Sequence, residues 1–253
     1  NNRIPDNLAT KKNLNNLFNY AQKNRLVSRV SSRIYNQDLY KITPNIPHKK
    51  YYLSSKSRYL ELVKEIYHIN KLLKENNIEP IFLKGAYFYL LEISNPEERF
   101  MADIDILLKK EILVKAIKIL LKNNYNFKRF KNFKSININQ DWTHQTPVII
   151  SPNGYAIDIH HRVTSPRNIK ASCILTKEIF KNKDYIYKYN IRFAVPQPQH
   201  SIYHLAYNSV HHDMYSSGPS IFYDMRDLII YIKKIKKVDE VNSFIKKFQD
   251  NKS

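Results

Sequence analysis

The chain has 253 residues, of which 43% are hydrophobic and 13% aromatic, and this composition excludes an intrinsically disordered protein. The length allows one domain or two small ones. The single cysteine, Cys173, excludes an intramolecular disulfide and favours a reducing, cytoplasmic compartment. No apolar run approaches the roughly 20 residues that a membrane helix needs, so we predict no membrane association.

The formal net charge of +20 is large for a chain of this length. A basic surface attracts nucleic acid, nucleotides or another polyanion. The lysines are scattered along every segment, however, and a chain rich in Lys, Asn, Ile and Tyr with 3 glycines is also typical of AT-rich coding. The charge therefore makes RNA a candidate partner without deciding the function.

The N-terminal segment, residues 1–54, is polar and carries apolar residues at helical spacing, which predicts one or two helices. Pro44 and Pro47 interrupt the chain before the next element. From Ser57 to Asn77 the apolar residues recur at three- and four-residue steps, which predicts a long helix with one buried stripe. That stripe consists of Leu60, Val63, Ile66, Ile69 and Leu73.

Residues 55–165 are predicted to form an α/β core. "PIFLKGA" indicates a short buried strand that closes at Gly85, with a helix from "AYFYLLEI" behind it. "MADIDILL" indicates a second strand, and "KKEILVKAIKILLKNN" an amphipathic helix. The apolar runs "PVIIS" and "YAIDIHHRV" flank the turn signature "PNG", which predicts a β-hairpin.

Beyond about residue 165 the strand signals fade, and residues 166–253 are predicted to be a helical C-terminal region. The helical patterns lie in "KASCILTKEIF", "HSIYHLAYNSVHH" and "SIFYDMRDLIIYIKKIKK". The predicted fold class is therefore α/β (α+β): a mixed β-sheet core with flanking helices and a helical C-terminal part.

Two like charges, Asp103 and Asp105, stand inside the second predicted strand. Side chains alternate along a strand, so both aspartates point to one face while Ile104 and Ile106 pack on the other. Two carboxylates about 6.6–6.8 Å apart repel each other unless a cation lies between them. A pair of divalent metals about 3.5–4 Å apart would supply that charge. Because Mg²⁺ favours carboxylate and phosphate oxygens, the pair predicts metals shared with a nucleoside triphosphate.

A third acid, Asp158, lies in the alternating run "YAIDIHH", where it shares a face with Ala156 and His160. An isolated pair of aspartates is more often a solvated strand face than a metal site. A third carboxylate in the same kind of strand favours the metal site, because a two-metal centre usually takes ligands from a neighbouring strand.

The turn in "FLKGAYF" is the third element of the predicted site. A strand that turns directly into a helix exposes backbone N–H groups to which an anion can bind. Gly85 allows close approach of a phosphate, and Lys84 adds a cation at the same turn. Turns of this type are common, so the prediction depends on their order relative to the acids.

The series "FLKG", "RFMADIDILL", "AIDIHH" and "FYDMRDL" resembles the uncharacterised bacterial nucleotidyltransferases of the DNA polymerase beta superfamily, over about residues 78–230. The resemblance implies a nucleotidyltransferase-like fold in which Asp103 and Asp105 hold two metal ions, Mg²⁺ or Mn²⁺. It implies that Asp158 holds the catalytic ion and helps to deprotonate the attacking hydroxyl.

The same resemblance places Lys84 and Gly85 against the triphosphate and gives Arg99 a bidentate contact with a phosphate. Two residues depart from the family pattern. Phe100 stands where proline is usual, and Lys84 precedes the glycine where the wider superfamily has glycine followed by serine. Both departures concern the shape of the nucleotide pocket more than the metal ligands.

The implied activity is transfer of a nucleoside monophosphate from an NTP to an acceptor hydroxyl, with release of pyrophosphate. The acceptor could be RNA, a protein or a small molecule, since the fold does not choose among them. The alternative is a catalytically inactive module of this fold that binds RNA or a partner protein through its basic surface. Retention of all three aspartates favours the enzyme.

Several histidines and aromatic residues allow other interpretations. "HHD" at 211–213 resembles a motif of metal-dependent phosphohydrolases. Those enzymes have an all-helical fold, so the predicted β core argues against this function. His200 and His204 share a helix face but lack the glutamate of a zinc hydrolase, so a pair of surface or interface histidines is the simpler interpretation. Trp142 and the basic, aromatic stretch 125–134 could stack on a base.

Overall fold

A computed structural model of the chain describes residues 3–129 except 92 and 94, residues 144–164, 169–208 and 221–234, and the single positions 242 and 246. Within these residues the chain forms one mixed sheet of seven strands together with eight α-helices. The strands are β1 Ile81–Phe82, β2 Asp103–Leu107, β3 Asn126–Phe127, β4 Ile149–Ile150, β5 Ala156–His160, β6 Asp184–Lys188 and β7 Ile191–Val195. The helices are α1 Lys11–Lys23, α2 Val27–Asn36, α3 His48–Lys74, α4 Lys84–Leu90, α5 Leu113–Lys122, α6 Ile169–Lys181, α7 Pro198–Asn208 and α8 Ile221–Lys234.

The strand order across the sheet is β3-β4-β5-β2-β1-β7-β6. The two strands that carry the aspartates, β2 and β5, are parallel neighbours near the middle. On the other side of β2 lies β1, which is antiparallel to it and parallel to β7. The predicted fold class, an α/β core with a mixed sheet and flanking helices, is confirmed. No helix in the described part of the chain is long and apolar enough to cross a membrane.

The two faces of the sheet pack against different helices. Ile104 and Ile106 of β2 belong to the larger core, which helices α3, α4 and α5 complete. Leu107, on the face that carries the aspartates, packs in a smaller cluster with Leu175 and Ile179 of α6. The acids therefore lie on a face that an apolar cluster covers only in part.

The long helix α3 begins at His48 rather than at Ser57, so the prediction placed its start too late. Pro47 directly precedes it, and the fixed φ of proline suits the beginning of a helix. The buried stripe also differs from the prediction, because Leu60 is 50% exposed and Leu62 is fully buried in its place. The remaining buried positions of the stripe include Ile66, Ile69 and Leu73, as predicted.

The predicted hairpin is confirmed by β4 and β5, which pair antiparallel with Ile149 opposite Ile157. Gly154, the last residue of "PNG", has a φ of 82°. Glycine adopts this left-handed backbone without steric cost. The Gly154 N–H donates to the Ser151 carbonyl over 2.9 Å and closes the turn.

The prediction that strands end near residue 165 was wrong, because β6 and β7 form an antiparallel pair at one edge of the sheet. Ala194 of β7 pairs with Ile81 of β1, so this hairpin extends the core sheet. Its apolar signal is weak because β6 is an edge strand whose Tyr187 is 68% exposed. Edge strands often carry polar and charged residues, which hides the alternation that marks a half-buried strand.

Candidate active site

The pairing of β2 with β5 brings two of the predicted acids together. Asp105 lies directly opposite Asp158 in the parallel register, and Asp103 lies opposite Ala156. Residues in register on neighbouring parallel strands project to the same face of a sheet. Carboxylate oxygens of Asp105 and Asp158 and a ring nitrogen of His160 all lie within 4.8 Å of one another, a grouping that could hold a metal ion.

Two cationic or N–H donors hold one oxygen of Asp105. The Lys84 ammonium donates to Oδ1 over 2.7 Å, and Nε2 of His160 lies 2.8 Å from the same atom. Burial alone would raise the pKa of this carboxyl, but the Lys84 ammonium and the His160 ring outweigh burial and hold the pKa of Asp105 well below its usual range. Asp105 is therefore a carboxylate throughout the physiological pH range, and its Oδ1 already has partners.

The two carboxylate oxygens of Asp158 differ in their hydrogen bonding. Its Oδ2 accepts a hydrogen bond of 3.1 Å from Nε2 of Gln145. Its Oδ1 is buried and has no hydrogen-bond partner among the described residues. Burial and the negative charge of Asp105 raise the pKa of Asp158. A buried carboxylate oxygen without a partner is costly unless a cation or proton satisfies it. The donor set thus fits a divalent ion.

Asp103 lies on the same strand face, at a half-buried position before Asp105. Burial, followed by repulsion from Asp105 and Asp158, raises the pKa of Asp103 to about 6. Three carboxylates on one face thus repel one another even with Lys84 among them. A bound divalent cation would relieve this repulsion and lower the pKa of Asp103.

We expect Asp103→Asn to stabilise the metal-free protein at pH 7–8 by about 1–3 kcal/mol. The pKa of Asp103 is 3.8 in the unfolded chain and about 6 in the folded protein. The free energy of unfolding of the wild type therefore falls as the pH rises from about 4 to 6 and remains at the lower value above pH 6. Asparagine carries no charge, so the gain should shrink as the pH falls below 6. Urea unfolding in EDTA across this pH range measures the effect, with Asp184→Asn on exposed β6 as the matched control. Equal curves for wild type and Asp103→Asn would contradict the predicted repulsion.

The Lys84–Gly85 turn differs in detail from the prediction, since α4 begins at Lys84 and Gly85 lies within its first turn. A Cβ at Gly85 would lie 2.6 Å from Nη1 of Arg99 and 2.7 Å from Sδ of Met101. Both distances are shorter than real Cβ contacts, so any other residue at position 85 would force the Arg99 and Met101 side chains to shift. Its predicted contact with a triphosphate stays a prediction.

Arg99 forms a buried ion pair with Asp227 of α8. Its Nη2 and Nε each lie 2.8 Å from Oδ2 of Asp227, and the Asp227 side chain is fully buried. The hydroxyl of Tyr89 donates to the Arg99 carbonyl over 2.6 Å. The Arg99–Asp227 ion pair therefore connects the loop before β2 to α8. The phosphate contact predicted for Arg99 stays a prediction.

The structure adds residues to the site that the sequence did not assign to it. His160 shares its strand face with Asp158, a signal that alternation already contained. Gln145 reaches Asp158 from a segment without a recognisable pattern. The ring of His144 lies 5.4 Å from that of His160, and burial, followed by the interaction with His160, lowers the pKa of His144 to about 3.

Of the two positions predicted for His200 and His204, on the surface or at an interface, the surface position was wrong, because each is 2% exposed on α7. Burial, followed by the nearby Lys84 ammonium, lowers the pKa of His204 to about 3. Periodicity could not show this, because histidine suits either face of a helix. The "HHD" motif at 211–213 and Trp142 lie outside the described residues.

A mixed sheet with aspartates paired on neighbouring parallel strands is the arrangement that the resemblance implied for a nucleotidyltransferase-like fold. Residues 10–239 match the family described as uncharacterised nucleotidyltransferase, and the chain belongs to that family. The family predicted from the four motifs is thereby confirmed, while the bacterial origin stays a prediction. None of the curated proteins matches the chain.

Two solved structures show a low similarity to the chain. An antigenic nucleotidyltransferase-like protein from Paracoccidioides brasiliensis is 13% identical, with 68% of this chain and 76% of that chain covered and a TM-score of 0.42. A candidate nucleotidyltransferase from Thermotoga maritima is 16% identical, with 71% and 95% covered and a TM-score of 0.38.

Proposed function

We propose that the chain is a metal-dependent nucleotidyltransferase that transfers a nucleoside monophosphate from an NTP to an acceptor hydroxyl and releases pyrophosphate. The observation that carries the proposal is the register of β2 and β5, which sets Asp105 opposite Asp158. The spare, buried Oδ1 of Asp158 supports it, because that atom needs a cation or a proton. Membership of the nucleotidyltransferase family supports the same class of reaction.

Asp103, Asp105 and Asp158 would hold the metal, and oxygen-rich ligands of this kind suit Mg²⁺ or Mn²⁺. When bound, the metal ions would activate the attacking oxygen and neutralise charge on the triphosphate. Gln145 and His160 hold one oxygen each of Asp158 and Asp105, which fixes the orientation of both carboxylates.

In the proposed reaction the acceptor oxygen forms a bond to the α-phosphorus as the bond to the bridging oxygen breaks. Pyrophosphate leaves with that electron pair. The acceptor proton would pass to the carboxylate of Asp158. Lys84 and Arg99 are the proposed phosphate ligands, with Gly85 at the turn beside them.

The second candidate function is an inactive module of the same fold that binds RNA or a partner protein. Its support is the net charge of +20. The buried acids count against it, because three carboxylates that repel one another even beside Lys84 are unfavourable without a divalent cation. The two candidates differ in whether nucleotide binding requires the metal.

Calorimetric titration with each of the four NTPs, with and without Mg²⁺, tests the proposal. We expect NTP binding that disappears in EDTA, and α-labelled NTP should transfer label to an RNA, protein or small-molecule fraction of a lysate. The matched control is a titration with RNA over a range of salt. RNA binding that weakens with salt and ignores Mg²⁺, together with no NTP binding, would favour the inactive module.

A further inference from the structure

The Lys84 ammonium is the cation that the three carboxylates share. Its Nζ lies 2.7 Å from Oδ1 of Asp105, and the Asp105 side chain is only 5% exposed. Asp103 and Asp158 also attract this ammonium, although more weakly than Asp105 does. One side chain thus supplies part of the positive charge that the three carboxylates require.

The backbone around Lys84 is fixed so that its side chain starts at the edge of the site. Lys84 has a φ of 43°, in the left-handed region that residues other than glycine rarely adopt. On one side, the Leu83 N–H donates to the Asp105 carbonyl over 3.0 Å. On the other, the Tyr231 hydroxyl donates to the Lys84 carbonyl over 3.4 Å. An unusual backbone at a residue that contacts the acids indicates a functional constraint on that residue.

We infer that Lys84 is the built-in counter-ion of the metal site, which neutralises Asp105 in the metal-free protein and leaves it when a divalent ion binds. The inference rests on the proposed function, since it requires a metal at Asp105 and Asp158. It goes beyond that function because it assigns Lys84 a role before any nucleotide is present.

Exchange of one cation for the other follows from electrostatics. An ammonium and a divalent ion on neighbouring oxygens of one carboxylate repel each other strongly at low effective dielectric. Lys84 therefore lowers the affinity of the site for a free metal ion. When the metal displaces the Lys84 ammonium from Asp105, the ammonium could pair with a bound triphosphate instead. Nucleotide should therefore raise the metal affinity of the wild type.

Titration of free Mn²⁺ without nucleotide, followed by electron paramagnetic resonance, tests the inference. We expect Lys84→Met to bind Mn²⁺ at least about tenfold more tightly than the wild type, because the competing charge is gone. Lys84→Arg is the matched control; it retains the charge and should bind close to the wild type. ATP should raise Mn²⁺ affinity in the wild type more than in Lys84→Met.

Thermal melting in EDTA supplies a readout that needs no metal. Lys84→Met should melt below Lys84→Arg, since it leaves the acids without a counter-ion, and saturating Mn²⁺ should reduce the difference. If Lys84→Met does not fold, Lys84→Gln removes the charge while its amide can still donate to Asp105.

The outcomes separate this inference from the proposed function. Equal or weaker Mn²⁺ binding by the neutral variants, with binding by the wild type intact, would overturn the counter-ion role alone. No Mn²⁺ binding by any variant would overturn the metal site of the proposed function, and the counter-ion role with it.

Discussion

Asp158→Asn is expected to lower nucleotide turnover by about 10²–10⁴-fold while NTP binding and the fold are retained. The substitution removes the charge from the buried Oδ1 and leaves an amide oxygen that can accept from Gln145 in place of Oδ2. Asp103 and Asp105 stay in place to hold metal and nucleotide. The loss should therefore fall on kcat more than on KM.

Pyrophosphate release in steady state measures this loss, and calorimetry with NTP and Mg²⁺ measures the retained binding. Asp184→Asn is the matched control, because it makes the same exchange on exposed β6 of the same sheet. Turnover of Asp158→Asn at the wild-type level would remove Asp158 from the mechanism. Loss of NTP binding together with turnover would instead assign Asp158 to substrate binding.

The largest loss of stability is expected from Asp227→Ala, at about 3–5 kcal/mol. The change leaves the Arg99 guanidinium, which is 7% exposed, without its buried carboxylate partner. Leaving one buried charge unpaired costs far more stability than replacing both partners of the ion pair with apolar residues. The change should also disturb the Lys84–Gly85 turn, because Nη1 of Arg99 packs closely against Gly85.

Urea unfolding of the metal-free protein measures the cost of Asp227→Ala. The paired replacement of Arg99→Met with Asp227→Leu is the control, and it should lose less stability than Asp227→Ala alone because no charge is left unpaired. A cost below about 1 kcal/mol for Asp227→Ala would show that water reaches Arg99 and screens its charge.

The acids illustrate what an alternating pattern can predict. In "DIDI" and "IDIH" isoleucines alternate with polar residues, so the acids must share one strand face and the isoleucines the other. The common face of Asp103 and Asp105 followed from the sequence, and so did the hairpin that carries Asp158. The register that sets Asp105 opposite Asp158 did not, because each strand alone fits several offsets.

The helical C-terminal region illustrates where a local pattern fails. The edge hairpin β6–β7 has exposed tyrosines and charges in place of clean alternation, and it joins the sheet because β7 pairs with β1. His200 and His204 were misjudged for a related reason. Histidine is polar enough for a surface and compact enough for a core, so only neighbouring elements decide its position.

The sequence by itself determined the strands β2 and β5, the helices α3 and α5, the tight turn at "PNG" and the family of the protein. The strands, helices and turn depend on neighbours within one element, and the family depends on the order of four short motifs along the chain. Only the tertiary structure decided that Lys84 neutralises Asp105 across 21 residues and that Arg99 pairs with Asp227 across 128. The sequence pattern around a charged residue does not indicate its ion-pair partner, because the packing of the elements decides how far apart the two residues lie along the chain.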